Sequence, residues 1–145
     1  MTGVQTCALP IYCRDDILAV DFSSKETHQI AMGCADGSGR ILDYKTGNYT
    51  ELRGPFPHQS EIYAIEFDQH SDRVATASSD GTAKVWDAGS GELLSTAYGH
   101  RGGVLGVSFR NTHDKPTTVG TDKTIREHDL NFKDVLAMEI GRAHV

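Results

Sequence analysis

Threonine, histidine and aspartate recur in this chain at fixed spacing. His58 stands 22 residues before Asp80 and His100 stands 22 before Asp122. Thr76 and Thr118 lie four residues ahead of those aspartates, and Trp86 and His128 lie six behind them. A hydroxyl, an imidazole and a carboxylate in contact are the parts of a nucleophile, its base and the group that orients the base. The same groups can also satisfy one another. An aspartate accepts from an imidazole N–H, the imidazole engages a hydroxyl, and the hydroxyl reaches an indole N–H, so that no donor is orphaned. The set occurs twice, as a structural unit would, and no oxyanion hole accompanies it. The structural reading is preferred, no catalytic residue is assigned, and the chain is not expected to be an enzyme.

Other chemistry finds less support. His58 and His100 fall in different repeated units, while His28, His70 and His113 fall in turn-like segments, so no metal site is expected. The stretch ADGSGR contains GxG, but neither GKS nor GKT follows and no helix is predicted, which argues against a phosphate cradle and leaves no cofactor expected. Cys7, Cys13 and Cys34 lack CxxC or CxxH spacing, and they are expected to form neither a disulfide framework nor a zinc site. A reducing compartment, the cytoplasm, is the matching expectation. A net charge of -6 disfavours broad nucleic-acid contact, and no apolar run approaches the roughly 20 residues of a spanning helix.

The elements that must position these residues show themselves by repetition. Asp36, Asp80 and Asp122 are 44 and 42 residues apart, and the pairs Leu42-Asp43, Trp86-Asp87 and His128-Asp129 keep those intervals. Phe22, Phe67 and Phe109 follow at 45 and 42. Within each unit, short alternating runs separated by turns such as SDG and AGSG predict four strands. They are expected at 17–22, 29–34, 39–44 and 49–54, at 62–67, 73–78, 82–87 and 92–98, and at 104–109, 117–121, 124–129 and 133–138. The predicted fold is all-β, a β-propeller fragment of about three four-stranded antiparallel blades.

Gly99-His100, Ser79-Asp80-Gly81 and Trp86-Asp87 resemble the WD-repeat β-propeller family over about residues 13 to 138. The resemblance places His58, Thr76, Asp80 and Trp86 in one structural tetrad and His100, Thr118, Asp122 and His128 in a second. The first unit keeps only Asp36, with Met32 and Leu42 at other tetrad positions. The family's contact positions carry over to Glu61, Tyr63 and Ser79, to Gly103, Leu105 and Thr121, and to Asp16 and Leu18. The resemblance implies a non-catalytic scaffold for protein or peptide partners, with no nucleic acid or membrane. The alternative it leaves is a sensor or targeting module of a signalling enzyme, a kinase or NTPase, whose catalytic domain lies outside this chain.

Both ends depart from the repeat. MTGVQTCALPI at 1–11 and IGRAHV at 140–145 resemble translations of a sequencing adapter and of its reverse complement, with Tyr12 and Glu139 as junctions. The expected division is therefore 1–12 and 139–145 as adapter-derived, with a degenerate blade at 13–56 and fuller blades at 57–98 and 99–138. The genuine part would be three blades of a longer parent. Expressed alone, it is expected to expose inter-blade surface and to self-associate.

Overall fold

Alternation of apolar and polar residues over five or six positions, broken by turns rich in Gly, Asp and Ser, favours strands over helices. The computed structural model describes residues 12–24, 26–109 and 115–129, and the backbone alone of 135–136 and 138–142. Strands and turns account for the regular structure of these residues, with no helix among them. Most of the adapter-like ends lie outside the described residues, as does His113.

The described residues form three sheets. The first runs β1 (Ile17–Phe22), β2 (Gln29–Cys34), β3 (Gly39–Asp43) and β4 (Tyr49–Glu51), in that spatial order. The second runs β5 (Ile62–Phe67), β6 (Arg73–Ser78), β7 (Ala83–Asp87) and β8 (Leu93–Tyr98). The third holds β9 (Val104–Phe109), β10 (Pro116–Gly120) and β11 (Thr124–Glu127), with β13 (Met138–Arg142) on its outer edge. Neighbours within each of these meanders are antiparallel. One expectation is corrected here. The fourth strand of the third sheet lies at Met138–Arg142, pairing with β11, and not at 133–138. Residues of that segment, β12 (Val135–Leu136), instead pair parallel with Ala97 and Tyr98 of β8. The outer edge of β8 offers free backbone groups that recruit them.

Successive sheets pack face to face through residues that the period-2 alternation sorts onto opposite sides. Ala31, Ile41 and Leu52 of the first unit meet Ile65, Phe67, Val74, Trp86 and Ala88 of the second. Ala75, Ala77 and Val85, on the other side of the second sheet, meet Val104, Val107 and Phe109. Carboxylates clasp the inner strands together. Asp21 on β1 accepts the Phe67 N–H at 2.8 Å, and Glu66, one sheet on, accepts the Phe109 N–H at 3.2 Å and the Ser108 hydroxyl at 3.1 Å.

The outer rim has its own stitch. The Arg53 N–H donates to the Gly91 carbonyl at 2.6 Å, and the Leu93 N–H donates to the Arg53 carbonyl at 3.1 Å. Gly91 has φ 77°, and a Cβ there would lie 2.1 Å from the Glu51 carbonyl oxygen, whereas Gly47, at φ 78°, has open space around it. Both share a left-handed backbone costing about 1 kcal/mol for a non-glycine residue, but only Gly91 adds a collision. Gly91→Ala is therefore expected to lower the melting temperature clearly more than Gly47→Ala, and equal shifts would mean the stitch carries no weight.

A second expectation is corrected. Cys13 and Cys34 are joined as a disulfide, with Cα atoms 5.9 Å apart. The antiparallel register that sets Ile17 opposite Cys34 brings the approach to β1 alongside the end of β2. Spacing rules built on short CxxC motifs do not register a pair 21 residues apart.

Candidate functional site

Two sets of side chains are candidates, one buried and one on the rim. The buried set of the second sheet is a continuous chain. His58 Nδ1 lies 2.8 Å from Asp80 Oδ2, His58 Nε2 lies 2.6 Å from Thr76 Oγ1, and Trp86 Nε1 donates to that hydroxyl at 2.9 Å. An ionised carboxylate only accepts, so Nδ1 carries the proton, Thr76 donates to Nε2, and its oxygen is left to accept from the indole. Every member is then satisfied. His58 and Thr76 are buried, and Trp86 is buried in the cluster shared with the first sheet. Thr76 is 0% exposed, so it has no access to a substrate.

The third sheet repeats the arrangement with a different last member. His100 Nδ1 is 3.0 Å from Asp122, His100 Nε2 is 2.7 Å from Thr118 Oγ1, and His128 Nε2 is 2.7 Å from the same hydroxyl. By the same proton order His128 donates through Nε2, which leaves its Nδ1 as a bare acceptor. That atom is buried without a partner among the described residues. In the first sheet Asp36 caps its own turn, accepting from the Ser38 amide and hydroxyl at 2.9 and 2.6 Å and from the Arg14 amide. No histidine reaches it among the bonds described, and packing carries that sheet.

Electrostatics follow from these bonds. Burial works to raise the Asp80 and Asp122 carboxyls, yet donors outweigh it and hold both well below the usual carboxylate range. For Asp80 these are His58 and Thr82, and for Asp122 the Arg101 amide, His100 and Thr124. Burial pushes the His58 imidazole down. His128 is lowered to about 4 by burial, reinforced by His100 and Arg126.

The rim set is positioned by a recurrent irregularity. In β1 the register passes from Ile17↔Cys34 to Ala19↔Gly33, in β5 from Ile62↔Ser78 to Ala64↔Ala77, and in β9 from Val104↔Gly120 to Gly106↔Val119. Each innermost strand therefore carries one extra residue: Leu18, Tyr63 and Leu105. Such a bulge bends the strand and re-aims the side chain. All three are exposed, at 42%, 42% and 49%. The neighbouring backbone is tied the same way each time, with the amides of Ala35, Ser79 and Thr121 donating to the carbonyls of Asp16, Glu61 and Gly103. Ser79 donates to Glu61 at 2.5 Å and Ser60 donates to it as well. Those hydroxyls, Ser60 first, lower the Glu61 carboxyl to about 2, so it stays charged at the surface. Glu61, Tyr63 and Ser79 thus form one group, with Leu105 and Thr121 on the next sheet.

The WD domain, G-beta repeat model matches residues 50–87, which include His58, Thr76, Asp80 and Trp86. Residues 50–87 are a WD repeat, the repeat of the β-propeller family. Among WD-repeat relatives, WD repeat-containing protein 1 of Gallus gallus is 39% identical over 74 residues, covering 50% of this chain and 12% of the relative. The Denticleless protein homolog of Gallus gallus is 34% identical over 76 residues, covering 51% of this chain and 11% of the relative. The matches thus span about a tenth of the curated relatives' length. Among solved structures, the computationally designed Ika4 protein aligns with a TM-score of 0.72 at 28% identity, covering 90% of this chain and 75% of that one. The designed Ika8 protein aligns at 0.67 and 30% identity, over 82% of this chain and 35% of that one. WD-repeat proteins generally act as non-catalytic scaffolds that bind protein partners. Among the described residues no group of three His, Cys, Asp or Glu side chains is placed to hold a metal ion, and no helix is long and apolar enough to cross a membrane.

Sequence reasoning missed three features of these WD repeats. Thr82 and Thr124 donate to their turn aspartates at 2.7 and 2.8 Å, as Ser38 does to Asp36. The signal was present as Asp-x-Ser/Thr in all three turns. The Asp21 and Glu66 clasps had only the weak signal of an acid preceding Phe22 and Phe67, which Phe109 lacks. The bulges had none, because alternation fixes a face and not a register shift.

Proposed function

We propose that this WD-repeat chain is a docking scaffold that holds a protein or peptide segment against the rim formed by Leu18, Tyr63 and Leu105. The observation that carries the reading is the bulge found at the same place in all three inner strands. Each aims one apolar or aromatic side chain outward from a rigid sheet, at little entropic cost to the partner's contact. Tyr63 is the anchor, since a tyrosine gives a large contact area with a polar tip. Glu61, Ser79 and Thr121 supply the polar surround, and the charged Glu61 suits a donor on the partner.

A phage-displayed library of random linear peptides, selected on the full chain, provides the probe. Tyr63→Ala is expected to weaken the selected peptides about tenfold or more, the loss typical of an aromatic anchor, with the melting temperature unchanged. Lys45→Ala, in the exposed turn between β3 and β4 at the opposite end of the sheets, should leave binding intact. Selected peptides that bind Tyr63→Ala as tightly as the parent chain would sink the reading.

A further inference from the structure

The inner strands carry the same apolar triad three times. Ile62, Ile65 and Phe67 of β5 are 1%, 6% and 5% exposed, and Val104, Val107 and Phe109 of β9 are 0%, 8% and 8% exposed. Each of these triads is covered by the sheet before it. Ile17, Val20 and Phe22 of β1 are the equivalent residues, and they stand 52%, 59% and 62% exposed. Tyr44 and Tyr49 extend this bare face. At the other end of the arc, Val119 and Ile125 are paired across β10 and β11 as Ala77 and Ala83 are across β6 and β7. Ala77 is buried against the third sheet, whereas Val119 and Ile125 are 41% and 43% exposed. These two exposed faces are therefore the two halves of an interface that the described residues already build twice.

We propose that the leading face of the first sheet binds the trailing face of the third sheet in a second copy of this chain. Three consecutive sheets pack as an arc, and two such arcs joined head to tail make six blades, inside the range of about 4 to 8 over which propellers close. Both joints of the pair are then the same heterologous contact, and the two-fold rotation closes it. The clasp at this joint differs from the internal ones. Asp21 and Glu66 clasp the next sheet's phenylalanine amide, but the equivalent residue on β9 is Ser108, which is already donating to Glu66. The second copy's Phe22 amide meets a hydroxyl and not a carboxylate, so this joint is the weakest of the ring.

Sedimentation velocity of the full chain over a range of concentrations tests this. A reversible two-copy species is expected. Val20→Asp and Val119→Asp, both at exposed positions and checked by far-ultraviolet circular dichroism, should each reduce it to single copies. Mixing these two variants should restore some two-copy species through the one undamaged joint. Ser108→Glu should tighten the pair about tenfold by supplying the missing charge-assisted bond, which keeps the test alive if an aspartate variant misfolds. Single copies at every concentration would overturn the proposal. So would a pair that ignores Val119→Asp, since leading faces would then be meeting each other, or open chains of growing mass.

Discussion

Trp86→Ala is expected to cost about 3–5 kcal/mol of stability, the range for emptying a buried aromatic site. Trp86 does two things at once. Its indole N–H completes the network at Thr76, and its ring fills the interface where Ala31, Ile41 and Leu52 meet Ile65, Phe67 and Val74. Removing it opens a cavity between two sheets and not within one, so the first sheet loses its anchorage. His128→Ala at the equivalent position should cost less, because the imidazole contributes less apolar area and one of its nitrogens has no partner among the described residues. Urea unfolding followed by circular dichroism measures both. A loss below about 1 kcal/mol for Trp86→Ala, the level of an ordinary surface change, would mean that the tryptophan does not bolt the sheets together.

The second large effect is acid sensitivity. His128 is lowered to about 4 in the folded chain from an ordinary 6.5, so the unfolded chain binds its proton first. Stability from this group is fully present above pH 6.5 and is lost as pH falls from there to about 4. At roughly 1.4 kcal/mol per pH unit the loss approaches about 3 kcal/mol. His58, also lowered by burial, adds in the same direction. Asp80 and Asp122 are depressed carboxylates, so their contribution holds above the ordinary aspartate range and is lost as pH falls further. The chain is thus expected to weaken in two stages on acidification. His128→Trp replaces the titrating ring by an indole that can donate to Thr118 as Trp86 donates to Thr76, and it should flatten the first stage. Urea midpoints taken between pH 7 and 4, read on the single native tryptophan in the parent chain and by circular dichroism in the variant, give the comparison. An unchanged slope in His128→Trp would remove His128 as the cause.

Much of this was legible in the residues. The 42- to 45-residue spacing of aspartates and phenylalanines located the three sheets. The tetrad residues were legible because a histidine, a threonine, an aspartate and an aromatic kept their intervals in two units, and the structure brings each set within hydrogen-bonding distance. What escaped depends on register or on long-range approach. The Cys13–Cys34 pair is made by a register between β1 and β2 that no local spacing encodes. The β13 pairing at Met138–Arg142 replaced an expected strand at 133–138, because short apolar runs near a free sheet edge can pair in more than one place. The bulges at Leu18, Tyr63 and Leu105 are one-residue shifts, invisible to a pattern that repeats every two residues.

The docking account stands on where a bound segment lies. Amide hydrogen exchange of the full chain, with and without a library-selected peptide, reads this directly. The account predicts added protection at 16–18, 35, 60–63, 79, 103–105 and 121, the segments around the bulged strands. Protection appearing instead in the turns at 43–48, 69–72 and 87–91, at the other end of the sheets, would contradict it.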